Sequence, residues 1–261
     1  MTQSTPPQTA VQSVDRALTI LGAFDDASLE RGVGDLAARL GVHASTASRL
    51  AATLAAHGFL EREGETGSFR LGPELIRLGL LAAGGSSLIA TARPAMEELA
   101  SETAETVVLS VASGSSAVDV AQVDARYLIG GRSWVGRRLP LHATSDGKVL
   151  LAWGAAARAA GRLDAVTKRT ITDRAELEAE LARVRSRGFA TAVGELEEGL
   201  NGVAAPIFSR DGACAAALNV SAPSYRLAGS KLTAVGGRCR EAALTVSAGL
   251  GWSGFDRGAA A

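Results

Sequence analysis

The spacing of apolar residues changes period near residue 58, and this change constrains the fold more than any other feature of the chain. Before it, apolar residues recur every three to four positions. Val14, Ala17, Leu18 and Leu21 do so after Ser13, a side chain suited to capping a helix. Val33, Leu36, Ala37 and Leu40 repeat the spacing, and Gly41 follows where a glycine commonly ends a helix. Val42 can then turn back into a core. His43 falls at the N-cap of a third helix that runs to about residue 56, with Ala47, Leu50, Ala51 and Leu54 as its inner stripe. After His57 and Gly58 the segment reads as strand instead. Residues 59–63 and 68–71 are two short strand candidates joined by a turn at Gly64, Glu65, Thr66 and Gly67. Three helices and then a hairpin predict a winged helix-turn-helix.

The outward side of the third helix carries Ala44, Ser45, Thr46, Ser48 and Arg49. Small and hydroxyl side chains allow close approach to a major groove, and an arginine can bind a phosphate or both acceptors of a guanine. Bulk charge gives no help to this reading, since 27 Lys and Arg balance 27 Asp and Glu. Up to residue 72, Arg16, Arg31, Arg39, Arg49, Arg62 and Arg70 are outnumbered by eight carboxylates. Distribution matters more than the sum. No acid occurs from Leu36 to Leu60, a window that holds Arg39, His43, Arg49 and His57. Ala44, Ser45, Thr46, Ser48 and Arg49 are the expected groove face, and Arg39, Arg62 and Arg70 the expected backbone contacts.

Residues 1–10 read as a disordered tail and 11–72 as the DNA-binding domain. Gly72 and Pro73 mark a boundary. A linker over 73–86 contains a helix at 74–83, and 87–261 form a second domain, making the whole α+β. In the second domain a helix at 88–101 precedes strands at 106–112, 117–123 and 127–134. Helices at 145–153 and 174–187 follow. Strands at 202–209 and 213–221 flank Arg210, Asp211 and Gly212 as an antiparallel hairpin, and 227–250 form one or two helices before a fraying end. The stretch MTQSTPPQTA lacks the regions of a signal peptide, and no apolar run approaches the ~20 residues that span a bilayer. Two cysteines, Cys214 and Cys239, suit a reducing cytoplasm rather than a disulfide framework.

Enzymatic chemistry finds little support. A zinc site needs three or four convergent ligands, whereas His142, Cys214 and Cys239 are far apart and read as structural groups. No Gly-x-Ser-x-Gly elbow is present. SDGKVL has the Gly-Lys pair of a phosphate loop without its earlier glycine or its Ser or Thr after the lysine. GVGDLAARLG nearly fits a dinucleotide fingerprint, but no strand precedes it. No cofactor or metal is expected.

Several stretches, in order, carry a family likeness: SVDRALTIL, DLAARLGVHASTASRLAATLAAHGFLER, FRLGPELIRLG, ETVVLSV, LPLHATSDGKVLLA, LARVRSRGFA, ELEEGLNGVAAPIF and AAALNVSAP. With them the chain resembles the IclR family of bacterial transcription regulators over residues 11–251. The resemblance implies a GAF-like effector-binding domain after the winged helix. It also implies a homodimer or dimer of dimers on a near-palindromic double-stranded DNA operator, and control by a small-molecule effector. The implied function is a sequence-specific transcriptional regulator, a repressor in preference to an activator, and not an enzyme. Oligomerisation also answers the charge problem, because it multiplies a modest set of contacts per subunit.

The resemblance implies a pocket as well. Ser145 and Asp146 match the positions whose backbone amides meet an effector carboxylate, although an aspartate is an unwelcome neighbour for an anion. Tyr127, Leu128 and Gly131 match an apolar wall, Leu200 belongs to the same set, and Glu195 matches an acid near the mouth. Four polar positions of keto-acid binders line up with Ala192, Gly202, Asn219 and Ser221, so an acid and a thiol are lost. Asn219 and Ser221 alternate along one strand and face one side. The expectation is a roomier, less polar pocket for a larger organic or aromatic acid. Two other readings stay open: a ligand-binding module acting through protein partners, and an enzyme with a vestigial winged helix.

Overall fold

The structure is a computed structural model that describes residues 11–24, 28–63, 67–82, 88–124, 133–156 and 162–254. The chain divides into two compact units, Met1–Gly85 and Ser86–Ala261.

The first unit contains α1 (Gln12–Leu21), α2 (Val33–Leu40), α3 (Ala44–Ala56), β1 (Leu60–Arg62), β2 (Phe69–Leu71) and α4 (Pro73–Ala82). Helix α1 starts ahead of the expected cap. The amides of Val14 and Asp15 both reach the Val11 carbonyl, at 2.9 and 3.0 Å, so Ser13 lies inside the first turn and Val11 is an N-cap without a capping side chain. Its buried residue is Ile20, while Val14 and Leu18 stay exposed. Between α2 and α3, Gly41 takes φ +62°, where a side chain would be strained. The Val42 amide then reaches back to the Ala37 carbonyl at 3.1 Å, which closes α2 and returns Val42 to the core. His43 caps α3 as expected, its Nδ1 accepting the Ser45 amide at 3.3 Å.

Ala47 and Ala51 are fully buried, and their small size lets α3 sit close against Ile20, Leu36, Leu60 and Phe69. Leu50 and Leu54 pack half-buried against the same core. Strands β1 and β2 pair antiparallel with Glu61 opposite Arg70, and Arg31 adds a third short rung beside Phe69.

The second unit contains α5 (Leu88–Thr103), β3 (Thr106–Ser113), β4 (Ser116–Val123), β5 (Arg138–Pro140), α6 (Ser145–Ala152), α7 (Arg174–Arg187), β6 (Ala190–Val193), β7 (Leu200–Phe208), β8 (Cys214–Pro223) and α8 (Ser230–Gly249). The strands form one antiparallel sheet in the order β5-β4-β3-β8-β7-β6. Alternate residues feed two cores. Val107, Leu109, Val203, Ala205, Leu218 and Val220 pack with residues of α5 and α8, whereas Ala117, Ala204, Ala217 and Phe208 pack with α6 and α7. Strand β4 supplies an extra residue, Val120, between the pairs Leu109–Ala121 and Ser110–Asp119. This bulge turns Asp119 to the α6 side while Ala121 joins the other core.

The C-terminal segment is a single helix, and the hairpin turns through Ser209–Gly212 as the sequence indicates. Strands β5 and β6 have no counterpart in the sequence reading. The strand expected over 127–134 falls largely outside the described residues, as does the tail over 1–10.

Candidate functional site

One face of α3 is built for approach to a surface. Ser45, Ser48, Arg49 and Ala52 follow one another at helical spacing; Ser45, Arg49 and Ala52 are exposed and Ser48 is half-buried. Ala44 is exposed at the helix start and Thr46 is half-buried. The Ser45 hydroxyl lies 2.9 Å from His43 Nδ1, so the N-cap also orients it. Arg39, at the end of α2, and Arg49 are exposed and hold no carboxylate partner among the described residues.

The hairpin arginines differ from each other. Arg62 is exposed and lies over the Phe69 ring, its guanidinium 5.9 Å from the centroid. Arg70 is ion-paired with Glu61 at 2.7 Å and with Glu63 at 3.5 Å.

The second unit holds a small cavity of about 30 Å³, partly open to solvent, over the start of α6. Among the residues singled out from the sequence, Ser145, Asp146, Ala192, Leu200, Gly202, Asn219 and Ser221 line it together. Glu195 does not. It is buried with Lys148, whose Nζ lies 2.8 Å and 2.6 Å from its two oxygens and 3.0 Å from the Thr191 carbonyl. Tyr127, Leu128 and Gly131 lie outside the described residues.

The glycine at 202 opens no extra room. A Cβ there would sit 2.7 Å from Ser145 Oγ, which fills the space. Ser145 Oγ donates to Asn219 Oδ1 at 3.2 Å, and Asn219 Nδ2 donates to Ser221 Oγ at 3.2 Å. These three polar side chains are thus fixed as one chain along the cavity wall.

Helix α6 begins at Thr144, whose hydroxyl accepts the Gly147 amide at 3.0 Å and whose carbonyl accepts the Lys148 amide at 3.0 Å. The amides of Ser145 and Asp146 come before the helix's own hydrogen-bond ladder. They form the positive end of the helix dipole, which suits an anion.

Residues 13–64 match the family description "IclR helix-turn-helix domain", and residues 81–248 match "Bacterial transcriptional regulator IclR C-terminal". The chain belongs to the IclR family. Its N-terminal winged helix-turn-helix and its GAF-like C-terminal domain make it an α+β DNA-binding transcriptional regulator of that family. It is 32% identical to the HTH-type transcriptional regulator XynR of Escherichia coli K12 over 247 residues, which cover 93% of this chain and 98% of that one. A putative IclR regulator from Silicibacter superposes with a TM-score of 0.76 at 30% identity, covering 92% of this chain and 97% of the other. An IclR homologue from Microbacterium hydrocarbonoxydans, solved with 4-hydroxybenzoate, gives a TM-score of 0.78 at 27% identity, covering 91% and 98%.

The IclR resemblance carried over to this sequence left several wall residues unnamed: Val108, Asp119, Trp134, Leu139, Ala143, Thr144 and Leu196. Asp119 is the most consequential. It is 3% exposed, accepts the Ser110 hydroxyl at 2.6 Å, and has its carboxyl pushed up to about 7, chiefly by burial and then by the nearby Asp146. The expected loss of polarity is therefore corrected: a second buried acid replaces what Ala192 and Gly202 give up. The lone acid of β4, two residues after Ala117 on the same side, is the signal that could have flagged it.

Cys214 and Cys239 are buried thiols whose pKa values burial pushes up to about 12, which leaves them poor nucleophiles. Among the described residues no His, Cys, Asp and Glu cluster fits a metal ion, and no helix is long and apolar enough to cross a membrane.

Proposed function

We propose that this IclR-family regulator binds a near-palindromic operator as a homodimer or dimer of dimers, and that a small-molecule effector in the α6 cavity changes its affinity for DNA. It acts in the cytoplasm, without an enzymatic step, as a repressor. Ser45, Thr46, Ser48 and Arg49, with Ala44 allowing close approach, read the groove. Arg39 and Arg62 hold backbone, and Arg70 joins them by exchanging its Glu61 and Glu63 partners for phosphate. The helix expected at 74–83 passes the effector's influence to the winged helix, which requires the effector to prefer one arrangement of the two.

The observation that carries this reading is the exposed α3 face, where Arg49 has no carboxylate partner among the described residues. The 4-hydroxybenzoate complex of the Microbacterium hydrocarbonoxydans homologue supports a small organic acid as effector.

A mobility-shift assay with DNA from upstream of the protein's own gene tests the reading. The wild type retards the fragment, and Arg49→Ala weakens binding by about 10- to 100-fold, the worth of one good arginine–guanine or phosphate contact. The melting temperature of the variant stays at the wild-type value. No retardation by the wild type at low salt would favour a module that works through protein partners.

A further inference from the structure

One side chain of the α6 cavity has no partner among the described residues. Asp146 is 1% exposed, and among the described residues neither of its carboxylate oxygens has a hydrogen-bond partner. A carboxylate taken out of water without a partner is costly, and native structures rarely leave one so. The protein around it makes matters worse. Asp119 lines the same cavity, and the two acids repel each other. Lys148, a buried cation of this region, is already held by Glu195 and the Thr191 carbonyl. Arg137 is the smallest of the influences on Asp119, and its guanidinium lies over the Trp134 ring.

Beside these acceptors stand donors. The amides of Ser145 and Asp146 open α6 at the same cavity and precede the helix's internal ladder. A plain carboxylic acid would satisfy these amides, leave Asp146 unanswered and add a further negative charge next to two acids. A plain amine would answer the acids and leave the amides unused. A molecule with both groups satisfies both, and Val108, Leu139 and Leu200 offer its carbon skeleton an apolar wall.

We propose that Asp119 and Asp146 form a subsite for a protonated nitrogen, and that the effector is an amine-bearing organic acid whose carboxylate meets the α6 amides. The assignment rests on the reading of this cavity as the effector pocket. It narrows the effector from organic acids in general to zwitterions of amino-acid type.

Calorimetric titration of the full chain with pairs that share a carbon skeleton tests it: L-alanine with pyruvate, L-glutamate with 2-oxoglutarate, and L-phenylalanine with phenylpyruvate. The expected result is that at least one amino acid binds, at least tenfold more tightly than its deaminated partner. Asp146→Asn abolishes that preference. Because the Asp146 carboxylate makes no hydrogen bond to the described residues, the same variant, free of ligand, melts above the wild type. A deaminated acid that binds as tightly as its amine-bearing partner overturns the proposal. So does an Asp146→Asn variant that keeps the preference or melts below the wild type. If only deaminated acids bind, and one of them alters retardation of the operator fragment, the nitrogen subsite falls and the effector pocket stands. If every probe is silent, both fall, while retardation by the ligand-free protein still reports on DNA binding by itself.

Discussion

Asp119 and Arg49 show how neighbours decide what one side chain can do. Arg49 has no ion pair to break among the described residues, whereas Arg70 must leave two glutamates before it reaches a phosphate. Arg49 is for that reason the better probe of DNA contact. Asp119 holds its proton up to about pH 7 in the folded protein, against about 3.9 for an aspartate in an unfolded chain. A raised acid favours the folded state most when both states are protonated. Its contribution is fully present below about pH 4 and is lost as pH rises through 7. Asp119→Asn keeps an acceptor for the Ser110 hydroxyl and removes the titration. The variant should melt close to the wild type at pH 4 and above it at pH 8, by several degrees at about 2–4 °C per kcal/mol for a chain of this size. Thermal melts across that range decide it. A gap that does not widen with pH means that Asp119 does not titrate there.

At the scale of elements, the seat of α6 controls the cavity. A Cβ at Gly147 would lie 2.3 Å from the Leu141 carbonyl oxygen and 2.6 Å from Thr144 Oγ1, so no alanine fits without moving the helix start. Gly79 in α4 has nothing within 4 Å of such a Cβ. Gly147→Ala should therefore lower stability by about 2 kcal/mol or more, in the range of overpacking and strain. Gly79→Ala should raise it by about 0.5–1 kcal/mol, the helix-propensity difference. Denaturant unfolding of the two variants compares them, and equal effects would mean that α6 is loosely seated. Elements of this kind were legible in the sequence where a local signal marks them. Gly41 ends α2, His43 caps α3, and the Arg210 to Gly212 turn joins β7 to β8. Strands β5 and β6 were not legible, because three or four residues are too few to display alternation. Nor was the approach of Asp119 to Asp146. It depends on a bulge in β4 and on the pairing of β3 with both β4 and β8, long-range facts that no local pattern states.

At the scale of the whole molecule, the weak charge of the winged helix and the exposed face of α1 point to the same requirement. Val11, Val14 and Leu18 are 63%, 55% and 62% exposed and lie on one side of α1, although the helix is anchored through Ile20 on another. An apolar stripe of this kind is a candidate for self-association. Only Arg39, Arg49 and Arg62 of the expected DNA contacts are exposed without an ion pair among the described residues. Three phosphate contacts in each subunit would give a slope of log K against log salt near −5 for a dimer, and about half that for one subunit. The proposed pairing of two copies on a symmetric site would offset so few contacts, because the second binding event gains effective concentration. Leu18→Asp puts a charge into the stripe without touching the core around Ile20. The variant should sediment as a smaller species, keep the wild-type melting behaviour of its winged helix, and lose operator affinity by about 100-fold or more. Its residual binding should show the halved salt slope. If Leu18→Asp sediments and binds as the wild type does, the copies associate through another surface and the α1 stripe is an ordinary exposed face.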